Sequence, residues 1–137
     1  MALFQWGVRV YYEDTDSGGV VYYANYLRFM ERARTEWMRS LGFEQDRLLT
    51  EQGILFAVRS ASIDFLRPAR FNDRLNVTVD MQHLGRASLT LEQSVLRHGD
   101  SAGPLCTSTV KIACLEAAKF RPQPIPDPIL KEIVNGD

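Results

Sequence analysis

Hydrophobic residues recur at three- and four-residue steps along one long stretch of the chain, between residues 26 and 41. Charged residues fill most of the other positions in this stretch. Such a stripe is typical of an amphipathic helix that buries one side. Gly42 follows, and glycine readily takes the left-handed conformation in which helices end. The sequence therefore predicts one long helix, and its apolar stripe is formed by Tyr26, Met30, Ala33, Trp37 and Leu41.

Apolar and polar residues alternate in several shorter stretches, and this period of two is typical of β-strands. One stretch precedes the long helix and the others follow it, with a brief helix expected over residues 43–52. Short connections and single apolar faces favour an antiparallel sheet. We expect α+β class, with the long helix packed on a curved antiparallel sheet, because each then buries its apolar face. The predicted strands cover residues 8–13, 57–65, 75–82, 87–95 and 106–112.

Length and composition indicate an ordinary globular protein. The chain has 137 residues, of which 45% are hydrophobic and 24% are charged, and we expect a single domain over residues 1–137. A net charge of -1 gives no reason to expect nucleic acid as a partner. The N-terminus lacks a signal-peptide pattern, and no apolar run is long enough for a membrane span. We read Cys106 and Cys114 as small buried residues of a cytoplasmic protein.

A cluster of turn-forming residues, 14–19, separates the first predicted strand from the long helix. It contains Asp16, whose carboxyl group is ionised at neutral pH when its pKa is ordinary. The N–H groups at the start of the helix have no partners within the helix and favour negative charge. Asp16 is thus a candidate general base or nucleophile, although aspartate in a turn commonly bonds its own backbone. The residues alone leave both interpretations open.

The same cluster partly resembles a calcium-binding loop. Asp14, Asp16 and Gly19 occupy three places of an EF-hand pattern. The pattern then fails, because Gly18 stands where a third oxygen ligand belongs and Asn25 stands where the bidentate glutamate belongs. We therefore expect no metal site, and nothing in the sequence implies a redox cofactor.

A family resemblance rests on a longer block of sequence. The run Tyr12-x-Asp14-Thr15-Asp16-x-x-Gly19-Val20-Val21-Tyr22-Tyr23-x-x-Tyr26 resembles the signature of the 4-hydroxybenzoyl-CoA-thioesterase-like hot-dog proteins. Within them it is most similar to the YbgC-like acyl-CoA thioesterases associated with the Tol–Pal system. The likeness continues through residues 31–36 and at Phe65-x-x-Pro68-Ala69-Arg70, and it spans nearly the whole chain.

The resemblance implies a hot-dog fold and hydrolysis of an acyl-coenzyme A to a carboxylic acid and free CoA. Asp16 would then be the nucleophile or the general base. Tyr23 departs from the pattern, because YbgC-like members typically carry histidine here. A side-chain role for histidine is therefore absent, and the expected contribution of Tyr23 is its backbone N–H, which would hold the thioester oxygen.

Coenzyme A carries phosphates, and the candidate residues for binding them are Arg70, Arg86 and Ser88. Arginine suits phosphate because its planar fork donates paired hydrogen bonds. Each of these residues, taken singly, is equally compatible with an ordinary solvated surface position. His83 and His98 are expected in turns or strand ends, and no triad-like signature surrounds them.

Two functions of different classes remain open at this point. The first is an acyl-CoA thioesterase. The second is a binding module for acyl-CoA or acyl carrier protein with little catalysis, acting with envelope or lipid-synthesis proteins. An ionised Asp16 beside the thioester favours the enzyme. The resemblance also implies a homo-oligomer, at least a dimer and expected to be a homotetramer, whose active sites are each built from two chains. Acyl chain length is not revealed.

Overall fold

A computed structural model of the chain describes residues 3–135, so the first two and last two residues of the predicted domain lie outside the described part. The helices are α1 (Asn25–Ser40), α2 (Gln45–Arg47), which continues into a π-helical turn (Leu48–Gln52), and α3 (Asp127–Asn135). The strands are β1 (Phe4–Arg9), β2 (Ile54–Phe65), β3 (Arg74–Leu84), β4 (Ser88–Arg97), β5 (Cys106–Glu116) and β6 (Arg121–Pro122).

The strands form one curled antiparallel sheet in the order β1-β3-β4-β5-β2, and β6 pairs with β5. The antiparallel arrangement predicted from the alternating segments is confirmed. β1 and β2 are the two edges of this order, and β2, with 12 residues, is the longer of them. One edge of the sheet thus presents a long strand that is paired on one side only.

Helix α1 packs its apolar stripe against the sheet, as predicted. Tyr26, Met30, Ala33 and Trp37 are all buried. The helix ends before Gly42, whose φ of 97° is the left-handed conformation expected at that position. α1 approaches β1, β3 and β4. This placement leaves a cleft between α1 and the β2–β5 side of the sheet, and both cavities described below lie in it.

The first strand differs from the prediction. The alternation over residues 8–13 indicated a strand, but β1 ends at Arg9 and residues 12–14 form a 3₁₀ turn. Side chains stabilise this turn locally: the Asp14 carboxylate accepts the Tyr11 N–H at 2.9 Å, and the Thr15 hydroxyl donates to the Tyr12 carbonyl at 2.8 Å. Such bonds give the backbone an alternative to the sheet ladder, and here they end the strand.

Strand β2 contains a β-bulge at Arg59. Val58 pairs with Ile112 and Ser60 pairs with Lys111, so Arg59 has no partner of its own. A bulge of this kind reverses the alternation of the side chains that follow. Val58, which the pattern had placed on the polar face, therefore shares the inner face of the sheet with Ile112 and with Ala61 beyond the bulge. The prediction for β2 was wrong on the N-terminal side of Arg59.

Candidate active site

A small hairpin carries Asp16. Thr15 and Val21 form an antiparallel bridge, and the Asp16 N–H donates to the Val20 carbonyl at 2.9 Å. The chain reverses at Gly19, whose φ is 79° and whose N–H donates to the Asp16 carbonyl at 3.0 Å. Glycine tolerates this conformation without strain. The backbone on both sides of Asp16 is therefore fixed by hydrogen bonds, and we call residues 14–23 the Asp16 loop.

The Asp16 carboxylate has one oxygen bonded and one free. Oδ1 accepts the Gly18 N–H at 2.8 Å, which is the turn interaction that the sequence also allowed. A side chain at position 18 would bring its Cβ to 3.2 Å from the same oxygen, so glycine suits this close approach. Within residues 3–135, Oδ2 has no hydrogen-bond partner, and Asp16 is exposed. The local turn thus orients the carboxylate and leaves one oxygen for chemistry.

The second block of the resemblance lies directly beside this loop. The Val21 N–H donates to the Ala69 carbonyl at 2.8 Å, and Val20 forms an isolated bridge with Arg70. The Ala69 N–H donates to the Tyr26 hydroxyl at 2.9 Å, and burial raises the pKa of that hydroxyl. Residues that are distant in sequence therefore hold the Asp16 loop against the start of α1.

Arg97 supports this segment from β4. Its guanidinium donates to the Asp73 carboxylate at 3.0 Å and to the Pro68 carbonyl at 2.9 Å. It also bonds Asp100, which in turn pairs with Arg67 at 3.1 Å. Several charges and a carbonyl thus share one network, and such a network constrains backbone position better than isolated surface pairs do. We assign Arg97 a structural role.

Tyr23 lies two residues before the first residue of α1. Its carbonyl accepts the Tyr26 N–H at 3.3 Å, and its own N–H has no backbone partner in the described part of the chain. The N–H of Tyr22, by contrast, donates to the Asp14 carbonyl at 2.9 Å and is not available to a substrate. Tyr23 therefore carries a free backbone N–H at the end of the Asp16 loop, and it lies ahead of the first turn of α1 rather than within it, where the sequence had placed it.

The Tyr23 ring is largely exposed and meets the edge of the Phe65 ring, with centroids 5.9 Å apart. Tyr23, Tyr26 and Phe65 also line an open cavity of about 240 Å³. The cavity lies where β2 ends beside the start of α1. An apolar group attached to a carbonyl held at Tyr23 has a surface to contact here.

The structure separates the three candidate phosphate-binding residues. Arg70 adjoins the Asp16 loop, whereas Arg86 and Ser88 lie in and after the turn between β3 and β4. β3 connects the two places and has 11 residues, which corresponds to roughly 35 Å of extended strand. Within one chain, Arg86 and Ser88 are therefore at the end of the sheet that is remote from Asp16.

Two polar residues at or near this region were missed by the sequence interpretation. The Asn25 side chain donates to the Asp14 carbonyl at 2.9 Å and ties α1 to the Asp16 loop. Gln93 is only 1% exposed and accepts a hydrogen bond from Arg34 at 3.0 Å. The sequence did contain an indication that Gln93 is buried, because it stands between Leu91 and Val95 at an inward-facing position of an otherwise apolar series.

Other candidate chemistries find little support in the described residues. No cluster of three or more His, Cys, Asp or Glu side chains in residues 3–135 could hold a metal ion. In the same part of the chain, no helix is long and apolar enough to cross a membrane. His83 and His98 are both exposed and have no hydrogen-bonded triad partner there.

Both cysteines are buried and free, as expected. Burial raises the pKa of the Cys106 thiol to about 12, and burial also raises that of Cys114. A thiol with a raised pKa is scarcely ionised at neutral pH and is a poor nucleophile. Neither cysteine therefore qualifies as the catalytic nucleophile.

This burial gives a testable expectation for thiol reactivity. Iodoacetamide at pH 8 is expected to alkylate Cys106 and Cys114 at least about tenfold more slowly in the native protein than in urea, because the native thiols are neutral and covered. Mass spectrometry of timed samples measures both rates. Equally rapid labelling of the active, folded protein would contradict the assigned burial. Since folding favours the protonated thiol, stability should fall as the pH rises above about 9.

Residues 18–103 match the thioesterase superfamily. The acyl-CoA thioesterase YbgC of Haemophilus influenzae is 44% identical over 90% of this chain and 88% of its own length. The acyl-CoA thioester hydrolase YbgC of Escherichia coli O6:H1 is 38% identical over 95% of both chains.

Among solved structures, a 1,4-dihydroxy-2-naphthoyl-CoA thioesterase from Synechocystis superposes with a TM-score of 0.89 at 25% identity. The superposition covers 98% of this chain and 97% of that one. The superfamily match includes Tyr23, Arg70, Arg86 and Ser88 but begins two residues after Asp16. Asp16 itself lies outside the matched residues.

Proposed function

This chain belongs to the thioesterase superfamily and is a thioesterase of hot-dog fold, and we propose that Asp16 is the group that drives its reaction. Its YbgC relatives are named for acyl-CoA, and we carry that substrate class over to this chain. The reaction adds water across the thioester to give a carboxylic acid and the free thiol of CoA. The observation that carries the proposal is the oriented Asp16 carboxylate with one free oxygen.

Asp16 can act in either of two ways from this position. As a general base, Oδ2 accepts a proton from a water molecule while the water oxygen bonds to the thioester carbon. As a nucleophile, Oδ2 bonds to that carbon itself, and water later hydrolyses the resulting anhydride. In both cases the C–S bond breaks and the CoA sulfur takes up a proton. The Gly18 N–H on Oδ1 keeps the carboxylate oriented for either route.

The developing oxyanion needs a hydrogen-bond donor, and we assign this role to the Tyr23 N–H. It has no backbone partner in the described residues, and it lies just before α1, where the helix dipole favours negative charge. The Tyr22 N–H is excluded because Asp14 accepts it. The donor is part of the backbone, which accounts for how the position accommodates a tyrosine in place of histidine.

The remote position of Arg86 and Ser88 supports an active site built from two chains. Asp16 and Tyr23 lie near the Phe65 end of β2, whereas Ser88 pairs with Ala113 near the other end. If the exposed β2 edges of two copies pair antiparallel about a two-fold axis, the Phe65 end of one strand meets the opposite end of the other. Arg86 and Ser88 of the second copy then lie at the same end as Asp16 of the first.

We therefore propose a homodimer as the minimal active unit, with two dimers forming a tetramer. Arg70 from one chain and Arg86 with Ser88 from the other would bind the phosphates of CoA. The long unpaired edge of β2 and the exposed aromatic residues around the Asp16 loop supply surface for such contacts. Light scattering is expected to show a dimer or tetramer, and an active monomer at assay concentration contradicts the shared site.

A subunit-mixing experiment tests the shared site directly. Asp16→Asn protein and Arg86→Ala protein are each expected to be impaired, the second mainly through a rise in KM of about tenfold. In a mixed dimer one site carries both changes and the other carries neither, so each mixed dimer should have about half of the wild-type activity with a normal KM. In a random equimolar mixture about half of the dimers are mixed, so about a quarter of the wild-type activity should return. Mixing followed by kinetic assay measures this. If both groups of a site came from one chain, the mixture would recover nothing.

The activity itself is tested by measuring free thiol released from a panel of acyl-CoA esters. Release from at least one of them is expected, and acyl carrier protein thioesters form a second arm of the same panel. If no member releases thiol in a single turnover, the alternative of a binding module with little catalysis is favoured.

The two free cysteines fit a reducing cytoplasm, where we place the protein.

A further inference from the structure

A second cavity lies farther along the cleft between α1 and β2. Its volume is about 160 Å³, and most of its walls are apolar side chains, including Met38 from α1, Phe56 and Val58 from β2, and Ile112 from β5. The bulge at Arg59 is what turns Phe56 and Val58 toward this space together with the residues beyond it. The rest of the lining is polar and consists of Arg34 together with Glu31, Thr35 and Gln45.

Arg34 is a half-buried cation with an unusual set of partners. Its Nη1 donates to Gln93 Oε1 at 3.0 Å, and Gln93 in turn donates to the Met30 carbonyl at 3.1 Å. No carboxylate in residues 3–135 lies within ion-pair distance of it. Burial lowers the pKa of the guanidinium, and nearby Glu31 partly offsets this. A cation in such surroundings is costly unless oxygen atoms satisfy it.

Arg34 has further donors that are accessible, and its side chain lines the cavity. No fully buried side-chain nitrogen or oxygen in the described part of the chain lacks a hydrogen-bond partner, so the guanidinium nitrogens that do not bond Gln93 are accessible. Arg34 therefore does more than tie α1 to the sheet through Gln93. It presents hydrogen-bond donors at the end of an apolar space, an arrangement that suits a ligand with an apolar body and an oxygen at its tip.

Helix α1 places this cavity in line with the proposed reaction centre. Leu27, Glu31 and Arg34 follow one another at three- and four-residue steps of α1 and all reach the surface, so they share one accessible face of the helix, and Tyr23 precedes its first residue by two. Arg34 comes eleven residues after Tyr23, which corresponds to about 16 Å along a helix axis. An extended acyl chain whose thioester is held at Tyr23 can thus follow the cleft and end beside Arg34.

We propose that this cavity receives the far end of an extended aliphatic acyl chain, and that Arg34 selects chains that carry an oxygen atom at that end. This role presupposes the acyl-CoA thioesterase function proposed above. A terminal hydroxyl or a terminal carboxylate supplies the required acceptor. Glu31 also lines the cavity, with its carboxylate accepting the Thr35 hydroxyl at 3.2 Å. A terminal hydroxyl can donate a hydrogen bond to Glu31, whereas a terminal carboxylate is repelled by it. Glu31 therefore distinguishes hydroxyl-ended from carboxylate-ended acyl chains.

The test compares three CoA esters of matched length, about twelve carbons, which is chosen to span the ~16 Å between Tyr23 and Arg34. They are dodecanoyl-CoA, 12-hydroxydodecanoyl-CoA and the mono-CoA ester of dodecanedioic acid. For the wild-type protein, kcat/KM is expected to be about tenfold or more higher for at least one oxygen-ended ester than for dodecanoyl-CoA, because the methyl end leaves Arg34 unsatisfied.

Variants then connect the preference to Arg34. Arg34→Met keeps the apolar bulk and should remove the preference, so that kcat/KM becomes similar for the three esters. Arg32→Met is the matched control, since Arg32 is an exposed residue of the same helix and does not line the cavity. Arg34→Lys keeps the charge and should retain part of the preference. Thermal unfolding of each variant separates selectivity from stability.

Two results overturn the proposal. One is equal kcat/KM for the three esters in the wild-type protein, which needs no variant and therefore holds even if Arg34→Met fails to fold. The other is an equal loss for all three esters in Arg34→Met, which would assign Arg34 a structural role only. If thiol is still released, neither result contradicts the catalytic role proposed for Asp16. If no ester of the wider panel is hydrolysed, the proposed function itself fails first.

Discussion

Replacement of Asp16 by Asn is expected to lower thioester hydrolysis by about a hundredfold or more while substrate binding persists. Asparagine keeps the size and keeps an oxygen that can accept the Gly18 N–H, so the turn around residue 16 should stay formed. The negative charge and the basicity of the free oxygen are lost. The measurement is kcat from thiol release, together with the affinity for a non-hydrolysable CoA thioether.

The structure makes this substitution decisive between the two interpretations of Asp16. If the residue only stabilised the turn, Asn would replace it at little cost, and hydrolysis near the wild-type rate would refute the catalytic assignment. Asp14→Asn is the matched control, because the substituted side chain would keep an acceptor for the Tyr11 N–H and Asp14 is assigned no chemistry. It should retain most of the activity.

Replacement of Tyr23 by Pro is expected to lower turnover by about a hundredfold, since it removes the N–H that we assign to the oxyanion. The Tyr23 N–H has no backbone partner to lose in the described residues, and proline keeps the carbonyl that accepts the Tyr26 N–H. Proline is also tolerated where helices begin. Circular dichroism and light scattering should show an unchanged fold and assembly, and kcat should show the loss.

Side-chain variants at the same position separate the amide from the phenol. Tyr23→Phe removes only the hydroxyl and should keep most of the activity. Tyr23→His should be tolerated as well, because the family resemblance implies histidine at this place in YbgC-like members. If Tyr23→Phe loses as much turnover as Tyr23→Pro, the phenol hydroxyl is the working group and the amide assignment is wrong.

Hydrophobic periodicity predicted the elements that are stabilised mainly by the burial of apolar side chains. The apolar stripe of α1 and the inward-facing apolar residues of β3 and β4 are buried as predicted, because each set forms a single apolar face. Periodicity did not predict elements that depend on local side-chain hydrogen bonds. The 3₁₀ turn at Tyr12–Asp14 depends on the Asp14 and Thr15 side chains, and their hydrogen bonds are too local to alter a hydrophobic pattern.

The candidate site could be predicted from the sequence only in part. Asp16 and Tyr23 could be grouped in advance because the resemblance supplied them together, and the structure adds Arg70, which pairs with Val20 of the same loop. The distance of Arg86 from that loop could not be read from the sequence, since it depends on the direction and length of β3. The Arg34–Gln93 contact links positions 59 residues apart, and only the inward placement of Gln93 hinted at it.

The bulge at Arg59 also determines where this chain can change in length. Because Arg59 has no partner on β5, its deletion would leave the residues on either side facing as they do now, in a regular ladder. A deletion beyond it, at Ser62, would turn one half of β2 over and move either Ile63 or the apolar residues before it away from the inner face of the sheet. We therefore expect evolutionary insertions and deletions in this strand to be absorbed at the bulge.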